Sequence, residues 1–347
     1  MKSASRFRTF LGLLSFAAGF LSCAVAASRL LPRPIVPEFD RKVQRYLARA
    51  DQTDTVFMGS SRIYRQIVPS QFDEATRAAG QATNSYNLGV DGMMAPESYY
   101  AVDDFLRRRP HLRWFFIELQ PIQPRFPRHY DGTIRAWWWH DWESTLLTVS
   151  ASLRDPQMAE RGTLDMLATH ASLLLQHYVR PGSIAQVFGD APWIMRPKKK
   201  RGLFQLPPPK EEIGYAGFEP MPGPPLSGPT AAEFEGLIAA YRSSTPLKLS
   251  PDLRDRLRQL AAAVRATGAT PVFLATPSVN LRERIGDLRS QGIDADLLAF
   301  NDPVEYPSLY TPAMWANRAH LDEAGAHELT RLLAEKFAAL PQRHPER

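Results

Sequence analysis

The sequence predicts an α/β fold, a three-layer α/β/α sandwich around a mainly parallel sheet of about five strands, preceded by a transmembrane helix. Short runs of apolar, β-branched and aromatic residues alternate with longer segments of helical periodicity. Glycine and proline mark the ends of most of these segments. An uncharged, mostly apolar stretch precedes them all. Alternating strands and helices are typical of parallel sheets whose two faces are covered by helices.

The N-terminal segment has the pattern of a signal anchor. Lys2, Arg6 and Arg8 precede the apolar residues 9–28, and Arg29 follows them. About 20 apolar residues are enough to cross a bilayer, and the positively charged flank stays on the cytoplasmic side. We therefore expect a single-pass protein of the bacterial inner membrane, with its main domain in the periplasm.

Two alternatives remain for this segment. Residues 24–26 (Ala-Val-Ala) resemble a signal-peptidase site, and cleavage there would release the rest of the chain. Cys23 follows a Leu-Ser pair, as the lipidated cysteine of a lipoprotein does. Because Cys23 is the only cysteine, the exported part has no disulfide, no thiolate metal site and no cysteine nucleophile.

The elements after the anchor follow one another at short intervals. Proline stands at the first turn of three predicted helices, at Pro69, Pro96 and Pro251, where its missing N–H costs nothing. The predicted order is strand 55–58, helix 69–80, strand 85–88, helix 96–109, strand 114–117, helix 250–268, strand 271–275, helix 281–288, strand 297–300 and helix 322–339. In such sheets the chemistry lies at the carboxyl ends of the strands.

The alternation stops between Pro124 and about Pro246. We therefore predict an anchor at 1–30, a sheet domain in two parts (31–125 and 247–342), and an insertion or cap at 126–246. The cap contains one predicted helix, at 163–178, and a Pro/Gly-rich flexible loop at about 196–229. Its tryptophans, at 137–139 and 142, are typical of packing or a membrane interface, and alternatively of stacking on sugar rings.

Charge and histidine spacing limit the partners. The net charge is +6, but its arginines are spread along the chain, which argues against a nucleic-acid binder. Residues 198–201 (Lys-Lys-Lys-Arg) form one compact run, either a solvated loop or a contact with acidic glycan or phospholipid. His170 and His177 are seven residues apart, too far for a helical two-histidine metal site. We predict no metal and no cofactor.

Two distant segments carry the residues of a split hydrolase site. Gly59, Ser60 and Ser61 follow the first strand, and Asn317 and His320 precede the last helix. Nucleophilic catalysis needs a hydroxyl, an imidazole that takes its proton and a group that orients the imidazole. Ser61, His320 and Asn317 would supply these in turn. Alternatively, the serines only cap a helix, and the histidine is an ordinary polar residue.

These segments resemble the SGNH/GDSL hydrolase superfamily, in particular its membrane-anchored branch found with bacterial cell-surface polysaccharide modification. The resemblance covers about residues 51–125 and 250–340. The family's Gly-Asp-Ser block matches residues 59–61, with Ser61 as the nucleophile, and its Asp-x-x-His block matches residues 317–320. Its Asn-x-Gly-x-x-Gly block matches residues 87–92, which implies that the Gly92 N–H joins the Ser61 N–H in an oxyanion hole.

The chain departs from the family pattern at two positions. The third block, Gly-x-Asn-Asp, is missing, and Gln120 or Gln123 is the substitute we predict for its oxyanion-donating asparagine. Asn317 replaces the expected aspartate, so it accepts the imidazole N–H but does not offset an imidazolium charge. Arg62, next to Ser61, would hold an acidic substrate group, orient Glu118 or form an ordinary ion pair.

The resemblance implies acyl-ester chemistry on a cell-envelope or exported polysaccharide, either O-acetyl transfer or removal through an acyl-Ser61 intermediate. Two alternatives remain open. One is a general esterase or lipase, and the other is a non-catalytic partner of a membrane O-acyltransferase or glycan-export complex.

Overall fold

A computed structural model of the protein describes residues 2–30, 33–122, 132–154, 163–179, 213–217, 227–280 and 284–341. The chain forms two compact units. The helical unit comprises residues 1–36 and 124–206, and the sheet unit comprises residues 37–123 and 207–347.

Within the described residues there are eleven α-helices and seven strands. The helices are α1 (Lys2–Leu30), α2 (Pro37–Leu47), α3 (Ser61–Gln66), α4 (Pro69–Ala78), α5 (Glu97–Leu106), α6 (Ile134–Trp137), α7 (Trp142–Arg154), α8 (Thr163–Val179), α9 (Ala231–Ser243), α10 (Pro251–Arg265) and α11 (Glu323–Ala338). The strands are β1 (Thr55–Met58), β2 (Ser85–Asn87), β3 (Trp114–Glu118), β4 (Thr270–Ala275), β5 (Asp296–Ala299), β6 (Trp315–Asn317) and β7 (His320–Leu321).

Strands β1 to β5 form one parallel sheet in the order β2-β1-β3-β4-β5. The predicted α/β class with a five-stranded parallel sheet is therefore confirmed. The register aligns Thr55 of β1 with Ser85 on one side and with Trp114 on the other. Because the strand order reverses at β1, a crevice is expected at the carboxyl ends of β1 and β3.

Apolar side chains from successive strand residues bury both faces of the sheet. Phe116 stacks on Phe57, with ring centroids 4.5 Å apart, and lies 5.4 Å from Phe337 of α11. Phe115 points to the opposite face, where its ring is 5.8 Å from that of Phe105 in α5. These two apolar clusters hold the helices on the sheet and so position the loops at the strand ends.

Helix α9 belongs to the sheet unit, although the sequence placed it in the insertion. Its residues Phe234, Leu237 and Tyr241, spaced three and four apart, are buried in the same core cluster as the sheet. The two-unit division therefore differs from the predicted cap boundary at 246. The reason is that no strand adjoins α9 in the sequence, so the alternation of strands and helices did not indicate that α9 belongs with the sheet.

The helix predicted over residues 281–288 is wrong. Among the described residues of this stretch, 284–288, Ile285 forms an isolated parallel bridge with Leu247, whose N–H donates to the Arg284 carbonyl at 2.7 Å. A short 3₁₀ helix, Arg289–Gln291, follows. The apolar spacing that suggested a helix arises because Ile285 pairs with another segment while Leu288 is buried.

The helical unit contains α1, α6, α7 and α8, and α8 matches the helix predicted at 163–178. Trp137, Trp138 and Trp139 are buried, so these three rings serve packing and are closed to a sugar ring. Trp142 is exposed by 60%. The basic run at 198–201 and most of the predicted flexible loop lie outside the described residues.

In the part of the chain that the structure describes, no helix combines the length and the apolar character needed to cross a membrane. The structure therefore lends no support to the transmembrane helix in the predicted architecture, and the anchor stays a prediction.

Candidate active site

The turn between β1 and α3 presents Ser61 to the crevice. A Cβ atom on Gly59 would lie 2.5 Å from the Glu118 Cβ and 2.6 Å from the Ile63 Cγ1, so only glycine fits there. Ser60 is buried, and its Oγ accepts a hydrogen bond from the Arg62 N–H at 3.2 Å, which caps α3. Ser60 is thus used by the helix cap, whereas the Ser61 hydroxyl is directed to His320.

Ser61 and His320 are in hydrogen-bond contact, although 259 residues separate them. The Ser61 Oγ lies 2.7 Å from the His320 Nε2. This is the distance at which an imidazole can take a proton from a hydroxyl. The structure thus brings the predicted nucleophile and base together.

The β6–β7 hairpin fixes the third residue of this set. Asn317 and His320 are paired across a two-residue turn, and the Asn317 Oδ1 accepts the N–H groups of Ala319 (2.8 Å) and His320 (3.1 Å). These donors require the oxygen, rather than the amide nitrogen, to face the histidine. The same oxygen lies 3.1 Å from the His320 Nδ1, which must therefore carry a hydrogen.

Hence the His320 Nε2 is left with a lone pair for the Ser61 hydroxyl hydrogen, which is the tautomer a general base needs. Burial lowers the pKa of His320 to about 4, and the charges of Arg62 and Arg65 contribute to this, opposed by Asp91. The imidazole is consequently neutral at pH 7 and competent to accept a proton.

Glu118, a buried carboxylate beneath the Ser60–Ser61 turn, was not predicted as a site residue. Its Oε2 accepts the Ser60 N–H at 2.6 Å, and its Oε1 accepts the Thr276 hydroxyl at 3.3 Å. No hydrogen bond or ion pair between Glu118 and Arg62 occurs among the described residues, so Arg62 does not orient it. A glutamate at the end of an otherwise apolar, fully buried strand was the signal that could have revealed this role.

Gln120, a predicted oxyanion donor, is occupied elsewhere. Its Nε2 donates to the Glu118 Oε2 at 2.5 Å, and its Oε1 accepts the Ala95 N–H at 2.8 Å. These bonds hold the buried amide against the interior side of the crevice, and its role as an oxyanion donor stays a prediction. Gln123, the other predicted donor, lies outside the described residues.

The loop that carries Gly92 is fixed to α3. The Asn87 Nδ2 donates to the carbonyls of Ile63 (2.6 Å) and Ile67 (2.9 Å), while its Oδ1 accepts the Gly89 N–H at 2.9 Å. Gly92 has a positive φ of 65°, which favours glycine. The hydrogen bonds of Asn87 and the positive φ of Gly92 explain why the motif has asparagine and glycine at these two positions. The oxyanion role of the Gly92 N–H stays a prediction.

Two further contacts, both missed in the sequence, hold this loop. Arg65 forms a two-point ion pair with Asp91, at 2.9 Å (Nε to Oδ1) and 2.6 Å (Nη2 to Oδ2). The Lys42 Nζ, which is buried, donates to the Gly89 carbonyl at 2.5 Å and to the Gly214 carbonyl at 2.7 Å. Lys42 is on α2, 47 residues before Gly89, so no local pattern links the two.

Within the described residues, no group of three or more His, Cys, Asp or Glu side chains could hold a metal ion. Comparison of the chain with protein-family models, with curated proteins and with solved structures finds no match. A function for this chain must therefore be inferred from the geometry of Ser61, His320 and Asn317.

Proposed function

We propose that this protein is a serine acyl-ester enzyme of the SGNH type, with Ser61 as nucleophile, His320 as general base and acid, and Asn317 as the group that orients His320. One observation carries the proposal. A serine hydroxyl after a central β-strand contacts an imidazole whose other nitrogen donates to a fixed amide oxygen. This is the arrangement that acyl transfer requires.

In the proposed reaction, the Ser61 Oγ attacks the ester carbonyl carbon while its proton passes to the His320 Nε2. The carbonyl oxygen becomes an oxyanion, which the N–H groups of Ser61 and Gly92 would stabilise. Collapse breaks the ester C–O bond, and His320 returns the proton to the departing alcohol. A water or a sugar hydroxyl then attacks the acyl-Ser61 carbonyl carbon while its proton passes to the His320 Nε2. The bond from the acyl group to the Ser61 Oγ breaks, Ser61 regains the proton from His320, and the product is the free acid or the acylated sugar respectively.

The proposed substrate is an O-acylated polysaccharide of the cell envelope or one being exported, and acetyl is the proposed acyl group. The proposed location is the periplasmic side of the inner membrane, with residues 9–28 as the anchor. This part rests on the motif resemblance and on the charge pattern of the N-terminus. The mass of the mature protein tests it, because a chain that begins near Ala27 in the soluble fraction would contradict an anchor.

A second candidate is a non-catalytic partner of a membrane O-acyltransferase or glycan-export complex. Two observations favour it. Asn317 supplies no negative charge for an imidazolium on His320, and the Gln120 amide is bonded to Glu118 and Ala95. Loss of one oxyanion donor costs on the order of 3 kcal/mol of transition-state stabilisation when nothing replaces it.

Covalent labelling separates the two candidates. A serine-directed phosphonate should add one mass increment to the wild-type chain and to Ser60→Ala, with the modified peptide containing Ser61. Ser61→Ala should remain unlabelled, and His320→Ala should react far more slowly. Labelling of Ser60 would correct the assignment, and a folded chain that no phosphonate modifies would favour the non-catalytic partner.

A further inference from the structure

The two arginines of α3 differ in how their charges are used. Arg65 is bound by Asp91 through two hydrogen bonds and also donates to the Gly217 carbonyl at 3.2 Å. Arg62 is half-buried, and only its backbone N–H makes a hydrogen bond, to Ser60. Among the described residues, the Arg62 guanidinium has neither an ion-pair nor a hydrogen-bond partner.

The Arg62 charge acts on the candidate base. After burial, Arg62 is the largest contributor to the lowered pKa of His320, followed by Arg65, while Asp91 opposes them. Arg65 is ion-paired with Asp91, whereas Arg62 has no paired carboxylate among the described residues. Asn317, being neutral, does not offset the Arg62 charge.

Glu118, the buried carboxylate that accepts the Ser60 N–H, does not pair with Arg62 either. The carboxylate oxygens of Glu118 accept hydrogen bonds from Ser60, Gln120 and Thr276. A half-buried cation without a counter-charge is unfavourable, and a bound anion would offset that cost. A guanidinium also matches the geometry of a carboxylate or phosphate, with two parallel N–H donors.

We propose that Arg62 binds an oxyanion group, a carboxylate or a phosphate, on the acyl-ester substrate and so selects anionic esters. This inference rests on the proposed function. Arg62 directly follows Ser61, about 3.8 Å away between Cα atoms, and its charge acts on His320, so an anionic substituent near the ester would lie within the influence of this charge. Arg62 is a specificity-determining residue that takes no part in bond making or breaking.

The bound anion would also assist the chemistry. A positive charge on Arg62 disfavours the imidazolium that forms on His320 during attack, and Asn317 does not counter it. An anion on Arg62 neutralises this charge at the moment the imidazolium appears. An anionic ester therefore supplies part of the electrostatic support that an aspartate at position 317 would give.

Three matched acetyl esters test the proposal: O-acetylated methyl glucoside, the corresponding glucuronoside, and the corresponding glucoside 6-phosphate. They carry the acetyl group at the same ring hydroxyl and differ at C6, which bears a neutral hydroxyl, a carboxylate or a phosphate. Acetate release therefore measures charge selection, and the last two esters distinguish carboxylate from phosphate. For the full-length wild type we expect kcat/KM to be roughly 10- to 100-fold higher for one or both anionic esters, the range for a charge-assisted pair.

Arg62→Ala should lose most of this preference, so that the ratio of anionic to neutral kcat/KM falls towards one. Arg62→Lys should keep part of it, because it retains the charge but not the two-point geometry. Arg77→Ala, an exposed arginine on α4, is the matched control and should keep the wild-type ratio. With the neutral ester, Arg62→Ala should also move the acidic limb of the pH profile upward, as the pKa of His320 rises.

The proposal fails if the wild type shows no charge preference, or if Arg62→Ala lowers all three rates equally. If no ester is turned over, the proposed function fails separately, and calorimetric binding of the same three sugars decides the inference. Anion-selective binding that Arg62→Ala abolishes would sustain it, and equal or absent binding of all three would overturn it.

Discussion

Two histidines with a lowered pKa, one in each unit, have different surroundings. His320 in the sheet unit is partly exposed, and its Nε2 faces a serine hydroxyl at 2.7 Å. His140 in the helical unit is completely buried, and its Nε2 lies 3.1 Å from the Nδ1 of another imidazole, His170. Burial is the main cause of a lowered pKa in both, to about 4 for His320 and to about 2 for His140.

The comparison shows that a lowered pKa does not by itself mark a functional site. Desolvation disfavours the charged imidazole wherever it is buried. What separates His320 is its partners, a hydroxyl on one nitrogen and a fixed amide oxygen on the other, together with its partial exposure. His140 contacts a second imidazole and the ring of Trp139, which indicates a structural role.

The largest expected effect is the loss of esterase activity when His320 is replaced. His320→Ala should lower esterase kcat by roughly 10⁴- to 10⁶-fold, because it removes the base from a serine-histidine unit. His111→Ala, at an exposed position, is the matched control and should keep the wild-type rate. Equal activity in His320→Ala and the control, measured as acetate release, would show that the 2.7 Å contact has no catalytic role.

A smaller effect is expected at Asn317, which distinguishes His320 from a histidine in a complete triad. Asn317→Asp should raise esterase kcat by about tenfold or more, because a carboxylate stabilises the imidazolium. The pKa of His320 should rise with it, and the acidic limb of the kcat/KM profile should move upward from near pH 4. If neither the rate nor the pH profile changes, Asn317 is not the orienting group.

The smallest expected effect concerns acid stability. Both folded pKa values lie below the ordinary 6.5, so each neutral histidine contributes stability that is complete above pH 6.5 and declines as pH falls towards the folded pKa. In this range, each proton that only the unfolded chain binds lowers the free energy of unfolding by about 1.4 kcal/mol for each unit by which the pH falls.

His140→Phe should remove one of these protons. The decrease in Tm between pH 7 and pH 5, measured by calorimetry, should therefore be smaller than in the wild type. The difference corresponds to about 2 kcal/mol in the free energy of unfolding. His111→Phe is the exposed control and should follow the wild type. A His140→Phe variant as acid-sensitive as the wild type would show that His140 titrates normally, contrary to its burial.

Local patterns predicted most of the sheet unit. The strands at 55–58 and 114–117 and the helices opened by Pro69 and Pro251 appear within a few residues of their expected bounds. Buried parallel strands and proline-initiated helices leave strong local signals, namely continuous apolar runs and a fixed φ at the first turn. The helix predicted at 281–288 failed because Ile285 and Leu288, although at helical spacing, lie in an irregular stretch where Ile285 is bridged to Leu247.

The site divides in the same way. The sequence by itself determined which residues are chemically capable, Ser61, His320 and Asn317, because a hydroxyl, an imidazole and an amide in recognisable turn contexts can be read locally. Only the tertiary structure decided how they meet. The 2.7 Å contact joins residues 259 positions apart, and Lys42 and Arg65 hold the loop before Gly92 from 47 and 26 positions away. Such contacts depend on how the strands order in the sheet, and no local pattern carries that information.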